Sequence, residues 1–66
     1  MAIAKTVEIT SSSSSGIEDA VRSGIAKAAE TVKGIETAWV KDANVIVRDG
    51  KVAEWRVRLK LTFIVD

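Results

Sequence analysis

Two stretches of this 66-residue chain hold side chains able to do chemistry: "KDAN" at residues 41–44 and "EWRVRLK" at residues 54–60. Alternate residues of an extended strand share a face. Asp42 and Asn44 therefore offer two oxygen donors to one side, a set that suits a hard cation such as calcium or magnesium. Arg56, Arg58 and Lys60 offer three cations to one side, a row able to meet an anion. Trp39, set among small and polar residues in "ETAWVKD", reads as a packing residue, a stacking platform for a flat ligand, or a residue at a seam between subunits. Much other chemistry is closed. Histidine and cysteine are absent, so there is no Ser-His or Cys-His nucleophile, no zinc site of the usual ligands and no disulfide. The chain is read as a binding protein, not an enzyme. Glu8, Glu54 and Asp66 are the further candidate metal ligands after Asp42 and Asn44, and no EF-hand loop is present.

These residues need a frame to hold them. The length predicts a single domain over residues 1–66. A chain this short buries only about 60% of its unfolded surface, so its own core is marginal. With disulfides and zinc closed, self-association is the remaining way to add buried surface. Ten basic and nine acidic residues leave a net charge of +1, which gives no bulk argument for a nucleic-acid or membrane partner. Apolar runs fall far short of the ~20 residues needed to span a bilayer, and "MAIAKTVEIT" lacks a signal-peptide apolar region. A soluble, cytoplasmic protein is expected.

The elements read in order. "AIAKTVEIT" alternates as a half-buried strand, with Ile3, Val7 and Ile9 on one face. "SSSSSG" follows, and its serines are candidate caps for a helix; Ser15-Gly16-Ile17-Glu18 reads as a capping box, with Ser13 and Ser14 as alternatives. Residues 17–33 carry helical period, with Ile17, Val21, Ile25, Ala28 and Val32 in a stripe beside small Ala20, Gly24 and Ala29. Lys33-Gly34 is the expected stop. A strand from Ile35 to Arg48, the hairpin dipeptide Asp49-Gly50 and a last strand, "KVAEWRVRLKLTFIV", complete the chain. In that last strand Ala53, Trp55, Val57, Leu59, Leu61, Phe63 and Val65 form an apolar face. The fold class is α+β: a β-α-β-β chain in which a three-stranded antiparallel sheet wraps on one helix.

Two geometric expectations follow. A helix of about 18 residues spans ~27 Å, whereas a 14-residue strand spans ~45 Å, so part of the apolar face is left for another copy of the chain. A two-residue turn at Asp49-Gly50 pairs Arg48 with Lys51, and an unbroken ladder then sets Ala43 opposite Arg56, Lys41 opposite Arg58, Trp39 opposite Lys60 and Thr37 opposite Thr62. A bulge within "KDANV" would move that register by one.

The order and spacing of "VEITSSSSSGIEDAV", "IAKAAETVKGI" and "DGKVAEWRVRLKLTFIVD" resemble the dodecins over nearly the whole chain. The resemblance implies a hollow homododecamer that stores or sequesters flavins, namely FMN, FAD or riboflavin, between aromatic side chains at two-fold axes. It sets Thr37 where the family has its stacking tryptophan, Arg56 where it has a ligand-bonding glutamine, and Asn44-Val45 where it has an Arg-Gly pair. Trp39 stands two residues beyond the stacking position, about 6.5 Å along the same face. "ETAWV" and "EWRVRLKL" look more like a smaller branch described as calcium-binding. Thr37, Trp39, Asn44 and Arg56 are thus the candidate ligand residues, with Asp42 and Asn44 the candidate metal ligands.

Overall fold

The structure is a computed structural model and describes residues 3–65. The order is β1 (Ile3–Ser13), α1 (Ile17–Ala28), β2 (Ile35–Arg48) and β3 (Lys51–Val65). β3 is central in one sheet of order β1-β3-β2, and both pairings are antiparallel. That placement follows from sequence: β3 has the longest apolar alternation and can be covered from both edges. The hairpin turn lies where expected, with Asp49 and Gly50 both at positive φ, 53° and 73°, the geometry that matches the twist of the flanking strands.

Three expectations about the helix are corrected. First, α1 ends at Ala28, five residues before the expected stop at Lys33; Ala29–Thr31 form turns with i→i+3 bonds, and Gly34, at φ 79°, leads into β2 instead. β-branched Thr31 and Val32 are poor helix formers, and no packed face holds them in one. Second, no side chain caps α1. Ser11, Ser12 and Ser13 extend β1, and Ser13 Oγ accepts from the Ser15 amide at 2.9 Å and donates to Asp19 Oδ2 at 2.6 Å. Third, the buried line of the helix is its small residues, Ala20 and Gly24, with Val21, Ile25 and Ala28 half-buried beside them, while Ile17 is exposed. Gly24 lets helix and sheet approach closely: a Cβ there would lie 2.8 Å from Ser11 Cβ and 3.4 Å from Leu59 Cδ1.

The core is Ala20 against Val57, Leu59 and Leu61. It lies along the middle of β3 in a long molecule. A 12-residue helix is about 18 Å long, while the chain extends 52 × 19 × 13 Å. Its radius of gyration is 13.5 Å, against roughly 11 Å for a compact domain of this length. Its accessible surface is 4812 Å², against roughly 4,100 Å² for a compact monomer of this mass. The excess is the β2–β3 arm that α1 does not reach.

The β2–β3 ladder shifts at three places: at Glu36, which is extra on β2 between Ile35 and Thr37, and at two compensating bulges in the arm. Ala53 is extra on β3 and Lys41 is extra on β2. Arg48 still pairs with Lys51, Trp39 with Lys60 and Thr37 with Thr62, as expected, because the two shifts cancel. Between them the pairing moves by one: Asn44, not Ala43, faces Arg56, and Asp42, not Lys41, faces Arg58. The residues account for both shifts. An unbroken ladder sets two cations, Lys41 and Arg58, side by side, and the bulge substitutes an opposite charge. The bulge at Ala53 brings Val47 and Val52 into register with the apolar row of Val45–Trp55 and Ala43–Val57. Towards the turn that row is uncovered: Val47 is 58% exposed, Val52 45% and Val45 40%.

Candidate functional site

The sheet face turned away from α1 holds every candidate residue named from the sequence within the described residues; Asp66 lies outside them. Cross-strand pairing lays this face out in rows over β1, β3 and β2. The rows are Thr6–Thr62–Thr37, Glu8–Lys60–Trp39, Thr10–Arg58–Asp42 and Ser12–Arg56–Asn44. Asn44 and Arg56 are thus direct neighbours, as are Trp39 and Lys60. Trp39 and Arg56 are two rows apart, and Thr37 is one row beyond Trp39 on the other side.

Two grooves mark the face. One, of about 180 Å³, is lined by Thr6, Trp39, Lys60 and Thr62. The other, of about 550 Å³, is lined by Thr10, Asp42, Ala43, Asn44, Arg56 and Arg58. Trp39 is 71% exposed, so within one chain it is no packing residue. Its ring is free to stack or to meet another copy.

Ion pairs organise the charged rows. Arg58 grips Asp42 with Nε at 3.0 Å from Oδ1 and Nη2 at 2.6 Å from Oδ2. That bidentate bond holds the Asp42 carboxyl below its ordinary value and pushes Arg58 further up. Lys41 Nζ reaches across to Glu8 Oε2 at 3.2 Å, and Arg48 lies 4.0 Å from Glu54. Arg56 Nε donates to Ser12 Oγ at 3.4 Å. Among the described residues no group of three or more metal-ligating side chains gathers, and no helix is long and apolar enough to cross a membrane.

Ser12 escaped the sequence reading. The serine run suggested caps, yet the alternation of Thr6, Glu8 and Thr10, carried one step further, places it on this face.

The family model described as Dodecin matches residues 3–66. The chain belongs to the dodecin family. Solved dodecins share its fold. The dodecin of Streptomyces coelicolor is 29% identical, with 98% of this chain and 93% of that one covered, at a TM-score of 0.94. The dodecin of Streptomyces davaonensis is 28% identical, covering 98% and 96%, at 0.94. A variant of the Thermus thermophilus dodecin is 26% identical, covering 100% and 98%, again at 0.94. No curated protein sequence matches the chain. Dodecins are small-ligand-binding proteins of the dodecamer type, with flavins known as ligands, so membership places this chain among binding proteins. It also agrees with the elongated shape and the uncovered apolar row.

Proposed function

We propose that this dodecin assembles as a closed homododecamer that binds and buffers a small, flat aromatic ligand, flavin by family default, without catalysis. The observation that carries the reading is Trp39: a large ring, 71% exposed, on a strand face whose next neighbour is a cation. Thr37 in place of the family's tryptophan removes the ordinary platform, and Trp39 supplies one two residues on along the same face. Assembly is supported by the apolar row Val45, Val47 and Val52, which one short helix leaves bare.

Calcium is the second ligand to test, as in the branch this sequence resembles. Asp42 and Asn44 do share one face and one groove. Both oxygens of Asp42 are held by Arg58, however, and Arg56 stands alongside, so within one chain the groove opposes a cation. Cytoplasmic location remains the expectation for such a shell.

Light scattering after size exclusion tests the assembly, at about 85 kDa for twelve copies of a 7.1 kDa chain. Calorimetric titration with FMN, riboflavin and calcium tests the ligand. Flavin heats with quenched flavin fluorescence support the reading; calcium heats alone replace it with the calcium shell; a folded, persistent monomer removes both.

A further inference from the structure

On the face that carries Trp39, the described carboxylates are matched with cations other than Arg56. Glu8 is held by Lys41 and Asp42 by Arg58, and Glu54, two residues from Arg56, lies 4.0 Å from Arg48. In the middle of β3 this leaves Arg56 and Lys60 with no carboxylate partner among the described residues. Their surroundings differ. Lys60 lies between Glu8 and the Trp39 ring. Arg56 lies between two neutral hydrogen-bonding side chains, Ser12 on one strand and Asn44 on the other. Its one bond, Nε to Ser12 Oγ, is long at 3.4 Å, and the rest of its guanidinium meets no acceptor among the described residues. The groove beside it has a volume of about 550 Å³.

A guanidinium presents a planar fork that matches two oxygens of an oxyanion, and a flanking hydroxyl and amide can donate to the others. Neutral flanks matter, because a carboxylate there would fill the fork, as Asp42 fills that of Arg58. We infer that Arg56, Asn44 and Ser12 form an anion subsite that takes the phosphate of a phosphorylated ligand. Where the ligand's ring goes rests on the stacking role proposed for Trp39. Arg56 is four residues from Lys60 along β3, about 13 Å, a span that a ring joined to its phosphate by a flexible chain can cover. The subsite makes the preferred ligand a phosphorylated flat aromatic, FMN over riboflavin.

The test uses the full chain and its Arg56→Gln and Asn44→Ala variants, each checked for fold by circular dichroism. Inorganic pyrophosphate is titrated by calorimetry at low salt, and FMN and riboflavin by quenching of flavin fluorescence. Saturable pyrophosphate binding is expected in the unmodified chain, weakened about tenfold or more in Arg56→Gln and less in Asn44→Ala. FMN should bind more tightly than riboflavin, and Arg56→Gln should erase that preference. Pyrophosphate binding that is absent, or unchanged by Arg56→Gln, overturns the subsite. So does equal affinity for FMN and riboflavin in the unmodified chain, which leaves the stacking role intact. Pyrophosphate binding with no affinity for either flavin upholds the subsite and removes the stacking role.

Discussion

Arg58 reaches both carboxylate oxygens of Asp42 because Lys41 is bulged out of the β2–β3 pairing. The pair fixes the register of the arm's charged face, and both side chains are about half exposed, so its effect is read best as a function of pH.

The Asp42 carboxyl titrates below its ordinary 3.8 when folded, chiefly through the Arg58 hydrogen bond. A group depressed on folding adds stability that is complete above the unfolded value and is lost as pH falls through the folded one. Asp42→Asn should therefore melt below the unmodified protein at neutral pH, with the gap closing as pH drops beneath 3.8. Thermal melts across an acid series check this. A gap that widens on acidification contradicts the assignment.

Gly24 lies where helix and sheet touch, 2.8 Å from Ser11 Cβ as measured from the position a Cβ would take. Alanine is ordinarily the better helix residue by about 1 kcal/mol. Here overpacking should outweigh that gain, and Gly24→Ala should destabilise by about 1–3 kcal/mol in urea unfolding. Adding Ser11→Gly should recover part of the loss. Strict additivity of the two changes would contradict the contact.

Val45 sits opposite Trp55 in the uncovered apolar row and is 40% exposed in the single chain. Val45→Glu should leave the fold in place and lower the assembled mass seen by light scattering. An unchanged mass would place the seam elsewhere.

Trp39 is so exposed that Trp39→Ala should change stability by less than about 0.5 kcal/mol, measured on unassembled chains in dilute denaturant. Flavin affinity should fall about tenfold. Loss of assembly with flavin affinity retained would instead make Trp39 a seam residue.

Much of this was legible beforehand. β3 was plain because its apolar and charged residues alternate over its whole length, and Asp49-Gly50 set the turn. The outer face of Thr37, Trp39 and Lys60 was correctly grouped. What eluded the reading depends on partners distant in sequence. Poor alternation marks "KDANV" as a place for a bulge but does not choose Lys41; only Arg58 opposite makes that residue the unwelcome neighbour. Val45-Ile46-Val47, three apolar residues in a row, has no period of its own until Trp55 and Val52 select two of them. The end of α1 is similar. Ala28 and Ala29 are good helix formers, so nothing in those residues themselves marks the stop.

Lys41 and Ala53 also say where this hairpin has slack. Neither has a rung of the ladder to itself, so the ribbon can be shortened by one residue at either place and still show the same side chains to each surface. A residue gained or lost within the paired stretch between them would swap its charged surface for its greasy one. Length variation among relatives with this arm should therefore gather at those two positions, as play gathers at the joints of a rigid linkage.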